Sequence, residues 1–193
     1  EGGVLEIVGA ASLYVNVLNV SGTLKATGGQ SKLGAGPCTL PSCSWVRGTG
    51  ATYGGVGGET VQWRNGVRFT TTYGSITHPI DVGSYTNNND YGGGAVKVVA
   101  TNVVEIGPQG ILSADGMIVP QTSNSNNNGG GGSGGSVLVI APKIISYGYI
   151  SAEGGPVVNG HNGNGGGGRI ALHSDELVLG AAAVVSTAAG QSS

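Results

Sequence analysis

A chain of 193 residues makes one large domain or two small ones. Its 40 glycines follow no Gly-X-Y period, which excludes collagen, and its net charge of -2 excludes a polycationic nucleic-acid binder. No apolar run approaches the ~20 residues of a membrane span, and a 38% hydrophobic content excludes disorder driven by charge.

Repeat-like sequence begins at once, with Glu1-Gly-Gly-Val4-Leu-Glu-Ile7. Asn19-Val20-Ser21 is an N-glycosylation sequon. A seven-residue phrase then appears as Gly22-Thr-Leu24-Lys-Ala26-Thr-Gly28 and returns twice, as Gly110-Ile-Leu112-Ser-Ala114-Asp-Gly116 and Gly148-Tyr-Ile150-Ser-Ala152-Glu-Gly154. A looser copy closes the series at Val185–Gly190. Aliphatic runs starting at Val96, Val137 and Ile170 each follow a glycine cluster, at 92–94, 129–135 and 165–168. The intervals between those starts suit a repeat architecture. Short alternating strands with glycine at the corners, where there is little room for a Cβ, are the reading that fits. The Gly-Asn runs at 124–135 and 159–168 read as loops thrown out from one corner.

Residues 30–91 break the pattern. Cys38, Cys43, Trp45, Trp63, most of the other aromatic rings and three of the four arginines fall in this stretch. It reads as a long excursion from the first coil, with a hairpin signal at Asn65-Gly66, that packs on the flank of the repeats. Cys38 and Cys43 form either a small disulfide loop or two free thiols. A lone C-x4-C is a poor zinc site, and the disulfide reading favours an extracellular setting. Residues 92–190 carry the regular glycine-rich repeats.

The segments Gly131–Ile140, Gly148–Gly155 and Gly165–Ile170, with Tyr73–Ser84 ahead of them, resemble the glycine-rich repeats of large secreted and cell-surface proteins. The resemblance covers roughly residues 73–190, with a degenerate copy at 12–29. It implies a parallel β-helix with a structural or adhesive role outside the cell, and no catalytic residue.

Little chemistry stands against that reading. Asp115 and Glu153 occupy equivalent places in successive phrases, which would stack them about 5 Å apart, a spacing that suits a retaining glycosidase. No Lys, Arg or His recurs beside them to tune a pKa, so an outward polar corner is the simpler account. His78, His161 and His173 are scattered, and the glycine runs match neither a phosphate loop nor a calcium-binding nonapeptide. Trp45 and Trp63 are either the core of the excursion or a stacking platform for sugar rings.

The expectation is therefore an all-β chain forming one domain over residues 1–193. Its fold would be a right-handed parallel β-helix (β-solenoid) of about four coils with one long aromatic-rich excursion. The functional expectation is a non-enzymatic, extracellular or cell-surface structural protein without cofactor or metal. With no capping element at either end, it would stack end to end into a filament or continue into neighbouring repeats of a longer chain. The alternative is a carbohydrate-binding or carbohydrate-active module that uses the aromatic excursion.

Overall fold

The computed structural model describes residues 2–28, 50–58, 72–85, 91–117, 130–157 and 163–191. These residues form strands and connections only. In chain order the strands are β1 (Val4–Val8), β2 (Ala10–Val20), β3 (Thr23–Thr27), β4 (Ala95–Ile106), β5 (Ile111–Ser113) and β6 (Ser136–Ile140). They continue with β7 (Lys143–Ser146), β8 (Tyr149–Ser151), β9 (Arg169–His173), β10 (Glu176–Leu179) and β11 (Val184–Ser186).

All strand ladders are parallel and fall into two sheets. One sheet has five strands in the order β1-β3-β5-β8-β11. The other has six, in the order β10-β7-β4-β6-β9, with β2 paired to β4. The chain alternates between them. Each return lays an aliphatic residue on the one before, about 4.8 Å away. Leu5, Leu24, Leu112, Ile150 and Val185 form one such ladder in the five-stranded sheet. In the six-stranded sheet Leu13, Val98, Val139 and Leu172 form a second, and Leu18, Val104, Ile144 and Leu177 a third. These ladders face one another across the core, where Val98, Val104, Leu112, Val139, Ile144 and Ile150 are fully buried.

The single four-coil β-solenoid expected from the repeats is overturned by this division. The strands form two separate parallel sheets, one of them curled like a half-barrel. Nine of the eleven strands have three to five residues, as the short-strand reading expects, but β2 has 11 residues and β4 has 12. Neither strand contains a glycine or proline, so each runs through the bend where a corner was expected. A register shift between Val15 and Val17 absorbs the turn, and Thr101 Oγ1 donates to Asn16 Oδ1 there at 2.9 Å. The long β4 then joins two ladders, β6 on one side of the bend and β7 on the other, into one curled sheet. Pro142 separates β6 from β7 at a place where no ladder donor is needed. Parallel pairing throughout is otherwise typical of α/β proteins, whose helices cover the sheet faces. Here a neighbouring sheet and a glycine-rich wall do the covering.

That wall is the second departure from expectation. The described parts of the Gly-Asn runs, residues 130–135 and 163–168, are not loops thrown outward but lie almost wholly buried. Their backbones interlock. The successive amides of Ser133, Gly134 and Gly135 donate to three different segments, at Ser84, Gly166 and Ala114. A three-way fan of this kind suits an extended chain with three residues per turn and no internal hydrogen bonds. Space, rather than φ, demands glycine here, because a Cβ on Gly135 would lie 1.8 Å from the Gly94 carbonyl oxygen.

Candidate functional site: two unpaired strand edges

The aliphatic ladders have inner members and end members, and the two differ sharply in exposure. Leu112 and Ile150 are fully buried, whereas Leu5 at the end of the same ladder is 57% exposed. Ile144 is fully buried and Leu177, next to it, is 47% exposed. Val4, Val8, Tyr14 and Val17 extend the exposed apolar surface at the β1–β2 end. Leu179, Val184 and Val185 do so at the β9–β11 end. A depression of about 340 Å³ opens between the sheets at the first end, lined by Leu5, Leu13, Leu18 and Leu24 among others. Among the described residues no strand pairs with the outer edges of β1, β2, β9, β10 or β11. Each edge therefore presents ladder amides and carbonyls beside aliphatic side chains, which is the combination that templates a further strand.

The carboxylates suspected of chemistry are occupied by structure. Ser151 Oγ donates to Asp115 Oδ2 at 2.8 Å, and the Glu153 amide donates to Asp115 Oδ1 at 2.7 Å. Glu153 Oε1 in turn accepts from Tyr149 Oη and from Ser186 Oγ, both at 2.5 Å. The pair is thus a polar seam that ties β5, β8 and β11 together along the outside of the five-stranded sheet. Burial holds the Asp115 carboxyl above the usual aspartate range, against the lowering effect of its two donors. The Tyr149 phenol is also raised, first by its hydrogen bond to Glu153.

Two clusters escaped the sequence reading. Tyr53 is fully buried against the outer face of the six-stranded sheet, where its hydroxyl meets Ser136 Oγ at 2.7 Å. Its ring lies 4.6 Å from that of Tyr73, and the Arg169 guanidinium sits over it at 5.6 Å. Gly74, with φ at 77°, turns the chain where a Cβ would strike both Asp81 and the Tyr53 ring. Residues 72–84 then strap across the sheet. Arg169 Nε donates to the Tyr73 carbonyl at 3.0 Å, Ser136 Oγ donates to the Asp81 carbonyl at 2.5 Å, and Tyr73 Oη meets Ser84 Oγ at 2.8 Å. Burial is the main reason why the Tyr53 and Tyr73 phenols both titrate above the ordinary tyrosine value. The second cluster is a stack of His78 on His173, with ring centroids 4.9 Å apart. Those two residues stand 95 positions apart in the chain, and no local pattern joins them.

Of the residues singled out in the sequence, Asn19 is exposed on β2. Cys38, Cys43, Trp45, Trp63 and His161 lie outside the described residues. No group of three or more His, Cys, Asp or Glu side chains among the described residues could hold a metal ion. No helix among them is long and apolar enough to cross a membrane. Comparison with known proteins gives no match: no family model fits the chain, and no curated protein or solved structure is significantly similar to it.

Proposed function

We propose that this chain is a non-enzymatic structural element of an extracellular or cell-surface assembly, extended by strand addition at its two open ends. The observation that carries this reading is the two sets of edges that no strand among the described residues pairs, each continuing an aliphatic ladder whose inner members are buried. Burying one such side chain is worth about 1.5–3 kcal/mol. The β1–β2 end alone offers Val4, Leu5, Val8 and Val17, and the opposite end offers Leu177, Leu179, Val184 and Val185. These side chains are already about half buried, so completing their burial contributes roughly half of that each, which together with new ladder hydrogen bonds reaches the lower part of the roughly 4–15 kcal/mol cost of association. The carboxylate seam supports the non-enzymatic reading, because its oxygens already accept structural donors. Exposure of the Asn19 sequon is compatible with an extracellular setting.

Negative-stain imaging of the native material, paired with its intact mass, tests the proposal. Elongated particles whose long axis follows the direction of strand stacking are expected. Discrete compact particles containing one 18.9 kDa chain would overturn it.

A further inference from the structure

The bend divides the outward face of the curled sheet into two halves that differ in cover. On the β6–β9 half, Tyr53 and residues 72–84 lie over the face, and Leu138 there is fully buried. On the β7–β10 half the outward places form two rows. One runs Val17, Val103, Lys143 and Glu176, and the other Asn19, Glu105, Ile145 and Val178. Alternation sends both rows outward, because the intervening Leu18, Val104 and Ile144 belong to the core. Val17 is 49% exposed, and Val103, Ile145 and Val178 are each partly exposed. This half therefore presents an aliphatic stripe with Asn19 at its β2 margin.

Asn19 also heads Asn19-Val20-Ser21, the one Asn-x-Ser/Thr tripeptide in the chain. The strand sorts these three residues by face. Val20 is buried in the core, while Asn19 and Ser21 are both exposed on the other side. Nearby Asn16 is committed to structure through its bond from Thr101. Among the described residues no hydrogen bond engages the Asn19 amide or the Ser21 hydroxyl. The folded strand thus spends nothing on the acceptor side chain and leaves room beside it.

Resting on the reading of this chain as extracellular, we infer that Asn19 carries an N-linked glycan that stands over the aliphatic stripe of the β7–β10 half. The donor is a lipid-diphosphate-linked oligosaccharide. Asn19 Nδ2 forms a bond to the anomeric carbon of its first sugar and gives up one proton. The carbon–oxygen bond to the diphosphate breaks, and the lipid diphosphate leaves with the electron pair. A glycan is bulky and solubilising, which suits a face where Val17, Val103 and Ile145 meet water. Side chains stand roughly perpendicular to a sheet, so the glycan departs from the face and leaves the β2 edge open to a further strand.

Mass spectrometry of the native full chain, before and after a broad-specificity glycoamidase, is the test. The tryptic peptide that ends at Lys25 is expected to carry a sugar mass, and its removal should leave aspartate at position 19. In the full chain secreted from a glycosylating cell, Asn19→Gln and Ser21→Ala should each abolish the glycan. Ser21→Thr should keep it, and all three should have an unchanged circular dichroism spectrum. Stripping the glycan from the folded native chain should raise the binding of a hydrophobic dye about twofold, as the stripe is uncovered. An unmodified Asn19 in native material would overturn the inference, as would a glycan that survives Asn19→Gln. Unchanged dye binding after stripping would overturn the placement over the stripe. Elongated native particles with unmodified Asn19 would leave the structural role standing and remove only the glycan. An unmodified chain recovered from the cytoplasm would remove both.

Discussion

A Cβ on Gly135 would stand 1.8 Å from the Gly94 carbonyl oxygen, while one on Gly3 would meet nothing within 4 Å. Gly135→Ala is therefore expected to cost upwards of about 4 kcal/mol, the range of severe steric defects, and Gly3→Ala to stay within about 0.5 kcal/mol. Thermal melts followed by circular dichroism separate the two. Ser146 gives the opposite sign. It stands in a ladder with Val20, Ile106 and Leu179, and its fully buried hydroxyl has no hydrogen-bond partner in the structure. Ser146→Ala should stabilise the chain by about 1 kcal/mol, readable as a higher denaturant midpoint. Asp115 adds a pH term. Its carboxyl binds a proton more tightly folded than unfolded, so its contribution is fully present below the ordinary aspartate pKa and is lost as pH rises through the raised folded value. Asp115→Asn should flatten that part of the stability profile, with its gain largest at neutral pH and absent in acid. Tyr53 and Tyr73 act at the other extreme. Their raised phenols stabilise the fold below about pH 10, the ordinary tyrosine value, and that stability is lost as pH rises further.

The strands were legible where the chain repeats itself. The phrases at 22–28, 110–116 and 148–154 fall on β3, β5 and β8, and the runs at Val96, Val137 and Ile170 fall on β4, β6 and β9. Alternation of aliphatic and polar residues carries that information locally. What alternation does not carry is whether two adjacent runs stay continuous through a bend. β4 does so through Thr101-Asn102, and that continuity curls the sheet. The glycine wall was hidden for a related reason. A glycine run reads the same whether it is a solvated loop or a buried backbone lattice, and only the neighbouring segments at 50–58 and 72–85 decide between them. The strap over the sheet depends on such long-range partners as well. Removing the Arg169 side chain takes away its bond to the Tyr73 carbonyl and its contact with the Tyr53 ring. Arg169→Ala should raise the rate of limited proteolysis within residues 74–80 by about fivefold to tenfold, consistent with losing about 1 kcal/mol. The far-UV spectrum should not change.

At the scale of the molecule, the same ladders that build the core also leave it open. Their inner members lock the two sheets together, and Ile150→Ala should cost about 2–5 kcal/mol. Their outer members, from Leu5 at one end to Leu177 and Val185 at the other, are partly exposed, beside strand edges that no strand among the described residues pairs. The candidate site was only half legible in the sequence. The aliphatic repeats marked the ladders, but which strands end them depends on how the runs pair into two sheets, and β1 carries no copy of the repeated phrase. The measurement that bears most directly on the account is amide hydrogen exchange of β2 and β9, compared between the native assembly and the isolated recombinant chain. The account predicts strong protection of both edge strands in the assembly and exchange near the solvent rate at alternate residues in the isolated chain. Equal, fast exchange at those edges in both preparations would contradict it.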